Sequence, residues 1–142
     1  MTDDIAALPK AEFAFPGPLR DKLLAAVLSG AKTSTTGLLA AYEAEDEALP
    51  EVGARFAVVD SAELPVAVIE ITEVRVVPIG EVDLAHAVDE GEGDTSLDTW
   101  RATHDEFFTS APMREILGDP GFTVTDATLV VLERFRVVQR LG

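Results

Sequence analysis

Side chains able to do chemistry gather at three places along this chain. The first is Gly30-Ala31-Lys32-Thr33-Ser34-Thr35-Thr36, a lysine followed by four hydroxyl residues. A cation set beside an alcohol suits an oxyanion, a phosphate or an amide carbonyl. The second is the acidic run Glu90-Gly91-Glu92-Gly93-Asp94. The third is Trp100-Arg101 with His104 one helical turn on. The rest of the chain is rich in Ala, Val and Leu, so these polar islands are expected to share one pocket.

Each residue has a chemical reading and a bland one. Thr35 can act as a nucleophile with Lys32 as its base, which requires burial to lower the lysine pKa. A surplus of nearby carboxylates would push that pKa back up and make Lys32 an oxyanion donor or ion-pair partner instead. On a regular strand Lys32 and Thr35 face opposite ways, so convergence needs a turn, a bulge or a strand start. The bland alternative is a solvated strand start whose hydroxyls cap backbone groups. Glu90, Glu92 and Asp94 could hold a hard divalent cation. They could equally form a helix start, with Asp94 or Thr95 as the cap and Glu90 turned inward toward a ligand amine or Lys32. Trp100 and His104 share a helix face, where an aromatic can stack a base and His104 or Arg101 can donate. The same stripe reads as core for Trp100, as a structural histidine for His104, and as an ion-pair residue for Arg101. Thr33, Tyr42 and Glu92 complete the candidate ligand contacts. His86 receives no role. Glu133 and Arg134 have opposite parity on a strand, so one of them is expected to point inward and to need a partner.

Composition narrows the partners. The chain has 142 residues, enough for a single domain, and 47% of them are hydrophobic. It has no cysteine, which excludes disulfides and thiolate metal sites. Its 26 acidic residues outnumber 11 basic ones, for a formal charge of -15. That balance disfavours extended duplex DNA, which demands a basic footprint. No apolar run reaches the roughly 18 residues of a membrane span. The acidic start lacks the order of a signal peptide, so a cytoplasmic location is expected. No cofactor and no metal are expected, and the oligomeric state is left open.

The positioning elements follow from pattern. Residues 1–15 are expected as an irregular or weakly docked leader and 16–142 as one domain. The Leu19, Leu23, Val27 spacing predicts a helix over 19–29, closed by Gly30. A β-prone Lys32–Thr36 segment leads to a short helix near 38–43. Strands are predicted over 55–60 and 65–77, the second with imperfect alternation, as in a strand with a bulge or one covered on both faces. Helices follow over 81–89 and 96–109. Gly118-Asp119-Pro120-Gly121 is a loop, and 128–138 a final strand.

In order, these features resemble the ASCH family. The carrying residues are Gly30-x-Lys32-Thr33-x-Thr35, Leu49-Pro50-x-x-Gly53, Glu70-Ile71-Thr72-x-Val74, the block from Glu90 to Trp100-Arg101-x-x-His104, and Val131-Leu132-Glu133-Arg134-Phe135. The resemblance implies an α+β fold, a PUA-like β-barrel with flanking helices. It implies a nucleoside or short single-stranded RNA as partner. In one branch of small members, which hydrolyse the acetamide of N4-acetylcytidine, a lysine, a threonine three residues later and a distant glutamate carry the chemistry. These map to Lys32, Thr35 and Glu90. The chain departs from that branch in having Gly37 where an arginine often stands, and in the Glu90–His104 block. The resemblance therefore implies a possible amidohydrolase of a separate subgroup, with a non-catalytic RNA-binding module and a metal-dependent ribonuclease as alternatives.

Overall fold

The computed structural model describes residues 5–141. Its strands are β1 (Lys10–Ala11), β2 (Ser34–Leu38), β3 (Arg55–Val59), β4 (Pro65–Pro78) and β5 (Leu129–Arg140). Its helices are α1 (Pro18–Ser29), α2 (Leu39–Ala44), α3 (Leu84–Asp89), α4 (Leu97–Phe108) and α5 (Ala111–Leu117). The mixed α+β class is as expected. The closed barrel is not: the strands form one open sheet in the order β1-β3-β4-β5-β2. β1 is only two residues long and pairs parallel with β3. Among the described residues its other edge has no strand beside it, and neither has the outer edge of β2, so the ends do not meet.

The long β4–β5 ladder is the spine. Its register shifts between Val68 and Ile69 and again between Ile71 and Glu73. The first shift leaves Val138 of β5 unpaired and the second leaves Thr72 of β4 unpaired. The imperfect alternation at Val68 and Ile69 has another cause, since both are buried and the strand is covered on both faces there. On β5, Val130 and Leu132 join one apolar cluster with Trp100, Phe108 and Met113. Phe135 joins the other with Phe13, Leu24 and Ile71. Opposite parity on one strand sends these residues to opposite faces.

The buried face of the first helix needs correction. The helix at 18–29 exists, but its buried stripe is Arg20, Leu23, Leu24 and Val27, while Leu19 is 46% exposed. The stripe is turned by one residue because Arg20 has partners inside. Its guanidinium donates to the Ala14 carbonyl at 2.8 Å and the Asp60 carbonyl at 3.2 Å. Of the two alternatives for the leader, its described part is docked: β1 lies within it and Phe13 is 7% exposed; residues 1–4 lie outside the described residues. α5 was not anticipated. Ser110 caps it by accepting from the Met113 amide, Pro112 sits in its first turn, and Gly118 ends it at φ 65°.

Candidate functional site

Two local devices bring the first two polar islands together. Gly30 ends α1 in a left-handed conformation, and the Lys32 amide then donates to the Ala26 carbonyl at 3.0 Å. The next amide, Thr33, donates to the Asp89 carbonyl at the end of α3 at 2.7 Å. β2 begins only at Ser34, so Lys32 precedes the strand and is released from its alternation. The acidic loop closes on the same point. A Cβ on Gly91 would lie 2.5 Å from the Ala31 oxygen and 2.7 Å from the Lys32 nitrogen, at φ +69°. Only glycine allows that approach and that dihedral.

Lys32 is 2% exposed. Its Nζ donates to the Ser34 carbonyl at 2.8 Å and the Glu90 carbonyl at 3.3 Å, and lies 4.0 Å from Glu92 Oε2. Burial lowers its pKa, and Glu90, Glu92 and Glu133 pull only part of the way back. The carboxylate surplus therefore does not win at this nitrogen. Two positions of Nζ are committed to carbonyls. The remaining one is an N–H in the ammonium and a lone pair in the amine.

Glu90, on the C-terminal side of α3, is 1% exposed. Its Oε2 accepts from the Trp100 indole Nε1 and lies 3.3 Å from His104 Nε2. His104 Nδ1 sits 2.8 Å from the Trp100 carbonyl and must donate to it. With Nδ1 protonated, a proton has to lie between Nε2 and the carboxylate as well. Burial works against both charges. The hydrogen bond and charge of the partner nevertheless hold Glu90 below and His104 above their ordinary values. The imidazole ring is further fixed by stacking on Trp100 at 4.2 Å and by an edge contact with Phe108.

Glu133 faces inward, as parity requires of one of the pair. Its Oε2 accepts from Tyr42 Oη at 3.1 Å. Burial raises the pKa of both groups, and the negative charge of Glu47 raises both further. Arg134 points the other way, to Asp89 at 2.8 Å and Glu73 at 3.3 Å. In β2, Thr35 pairs with Glu133.

These groups line one cleft of about 620 Å³ between the two apolar clusters. Lys32, Thr35, Tyr42, Glu90, Glu92, His104 and Glu133 all reach it. Three expected contacts do not. Thr33 is spent on backbone pairing, to the Asp89 carbonyl through its amide and from the Phe135 amide at 3.1 Å through its own carbonyl. Trp100 is core, 1% exposed, and touches the site only through its indole N–H. Arg101 is held outside by Asp105 at 2.8 Å and Asp126 at 2.7 Å. The cap of α4 is Ser96, which accepts from the Thr99 amide, and neither Asp94 nor Thr95 takes that place.

His86 belongs to the arrangement although nothing in its sequence surroundings marked it. It is fully buried, and its Nε2 is 2.9 Å from the Thr36 hydroxyl, which also lines the cleft. Burial lowers its pKa, so it is neutral there. Its main-chain carbonyl accepts from Ser34 Oγ at 2.9 Å, which ties α3 to β2.

Ligand atoms of Glu90, Glu92 and His104 lie within 4.8 Å of one another, close enough for a divalent cation. Lys32 Nζ, 4.0 Å from Glu92, opposes such an ion whenever it is protonated. Among the described residues no helix is long and apolar enough to cross a membrane.

The model of the ASCH domain family matches residues 12–139. The fold is similar to the ASCH domain of Lactobacillus crispatus, with TM-score 0.80 and 30% identity over 93% of this chain and 80% of that one. It is also similar to a protein of Enterococcus faecalis, with TM-score 0.71 and 32% identity over 84% of this chain and 68% of that one. No curated protein matches the chain.

Proposed function

The chain belongs to the ASCH domain family, and from that premise we propose that its cleft binds an N-acylated nucleoside and hydrolyses the acyl amide. One observation carries this reading: a buried lysine, a cleft-facing threonine and a buried glutamate converge on one apolar-walled cavity. The Thr35 Oγ–H adds to the acyl carbon, and its proton passes to the neutral form of Lys32. Lowering the Lys32 pKa by burial enlarges the fraction able to accept it. As the tetrahedral intermediate collapses, the C–N bond breaks and the departing amine takes a proton from the Lys32 ammonium. Glu90, anchored by Trp100 and His104, accepts a hydrogen bond from that amine. Water then adds to the threonyl ester as Lys32 takes its proton; the bond from the acyl carbon to Thr35 Oγ breaks, and Lys32 returns the proton to that oxygen, giving the free carboxylic acid and Thr35. Glu133 keeps one oxygen free of Tyr42 and can accept from an N–H on the base.

N4-acetylcytidine is the first substrate to test. Lys32→Ala and Thr35→Val are each expected to lower turnover by at least about 100-fold with circular dichroism unchanged. Full activity in Lys32→Ala eliminates the mechanism.

A second reading, metal-assisted cleavage of RNA, draws on the Glu90, Glu92 and His104 grouping. Chelator-treated protein that is unaffected by added manganese or magnesium eliminates it. A non-catalytic RNA-binding role would show as affinity that falls steeply with salt, unlike that for a neutral nucleoside.

A further inference from the structure

The walls of the cleft carry far more negative than positive charge. Seven glutamates line it, against Lys10, Arg20 and Lys32. Those three cations are already engaged. Lys10 Nζ lies 3.6 Å and Arg20 NH1 3.4 Å from the same carboxylate, Glu63. Arg20 NH1 and NH2 also donate to main-chain carbonyls, which leaves only its buried Nε without a partner, and Lys32 donates to the Ser34 and Glu90 carbonyls beside Glu92. Glu45, Glu47 and Glu133, which also line it, form no ion pair among the described residues. The fields of Glu47 and Glu133 overlap, since Glu47 raises the pKa of Glu133 and of the Tyr42 bonded to it.

A nucleoside phosphate needs donors or cations around its oxygens. Every cation of this cleft already has a carboxylate or carbonyl partner, and the cleft faces the phosphate with a surplus of carboxylates that repel it. We propose that the cleft selects the unphosphorylated nucleoside and rejects its 5′-phosphate and RNA, with Glu45 and Glu47 acting as an electrostatic filter at its wall. The proposal rests on the nucleoside reading above and names the form of substrate that the site accepts. Both residues are exposed, so the filter is open to salt screening and to substitution without disturbing the core.

The test is calorimetric binding of N4-acetylcytidine and of its 5′-monophosphate, at 20 and 200 mM NaCl, to wild type and to the Glu45→Gln, Glu47→Gln double variant. Melting temperature without ligand checks that the variant folds. At low salt wild type is expected to bind the monophosphate at least about tenfold more weakly. High salt and the double variant should each narrow that gap. Equal affinity for the two forms overturns the filter and leaves the nucleoside reading standing. A gap that ignores both salt and the double variant overturns it too, because charge would not be its cause. Tighter binding of a short RNA also overturns it. Binding of neither form removes the nucleoside reading itself, and the filter with it.

Discussion

The lysine in the cleft and the Glu90–His104 pair settle the same conflict in opposite ways. Both are buried, and burial disfavours charge. Lys32 faces only carbonyls at hydrogen-bond distance, with its nearest carboxylate oxygen 4.0 Å away, and yields toward the neutral form. Glu90 and His104 face each other at 3.3 Å, and each is shifted toward its charged form. The pair therefore carries a pH signature. His104 is raised above 6.5. Its stabilisation is full below that ordinary value and fades as pH climbs through the folded-state value. Glu90 is lowered from 4.5, so its contribution is full above that value and is lost as acid approaches the folded-state one. The urea midpoint of wild type should exceed that of His104→Gln most clearly near pH 6, and the gap should shrink toward pH 9. A gap that widens with pH would show that the imidazole is neutral. Parity correctly isolated one inward residue at 133–134 because a strand alternates whatever its context. Arg101 was misplaced because a helical stripe does not say which neighbouring carboxylates will capture a flexible guanidinium.

At the scale of elements, the contact between the α3–α4 loop and the start of β2 decides whether the site exists. Gly91 presses against the Ala31–Lys32 backbone, while Gly93, also at positive φ, meets nothing within 4 Å. Gly93→Ala should cost about 1 kcal/mol, from the dihedral alone. Gly91→Ala should cost at least about 2–3 kcal/mol, since neither backbone nor loop can give without breaking hydrogen bonds. Denaturant unfolding of the two variants makes the comparison, and equal losses would refute the contact. Strands β3, β4 and β5 were legible through their β-branched runs, and α4 through its stripe. α5 was not, because seven residues give too little periodicity, although Ser110, Pro112 and Gly118 mark its ends. The turned stripe of α1 was recoverable in principle: Arg20, Leu23, Leu24 and Val27 keep helical spacing, but a charged residue is not counted as apolar unless its partners are known.

Across the whole molecule, a formal charge of -15 makes the folded chain repel itself. Moderate salt should relieve that repulsion, because the screening length drops from about 30 Å at 0.01 M to about 10 Å at 0.1 M. A melting temperature that rises over this range is expected. A flat or falling trend would mean that ion pairs such as Arg136–Glu70, at 2.9 Å, outweigh the surplus. The α+β class and the meeting of the polar islands could be anticipated from order along the chain. The open sheet could not, because closure depends on whether the outer edges of β1 and β2 approach, and local pattern does not carry that distance.

The chain has a single tryptophan, and its ring lies flat against the imidazole beside the cleft. A protonated imidazole quenches indole emission by taking up its excited electron. The molecule thus carries its own optical gauge at its most informative spot: without any label, intrinsic fluorescence reports whether that ring is charged and whether a guest has disturbed it.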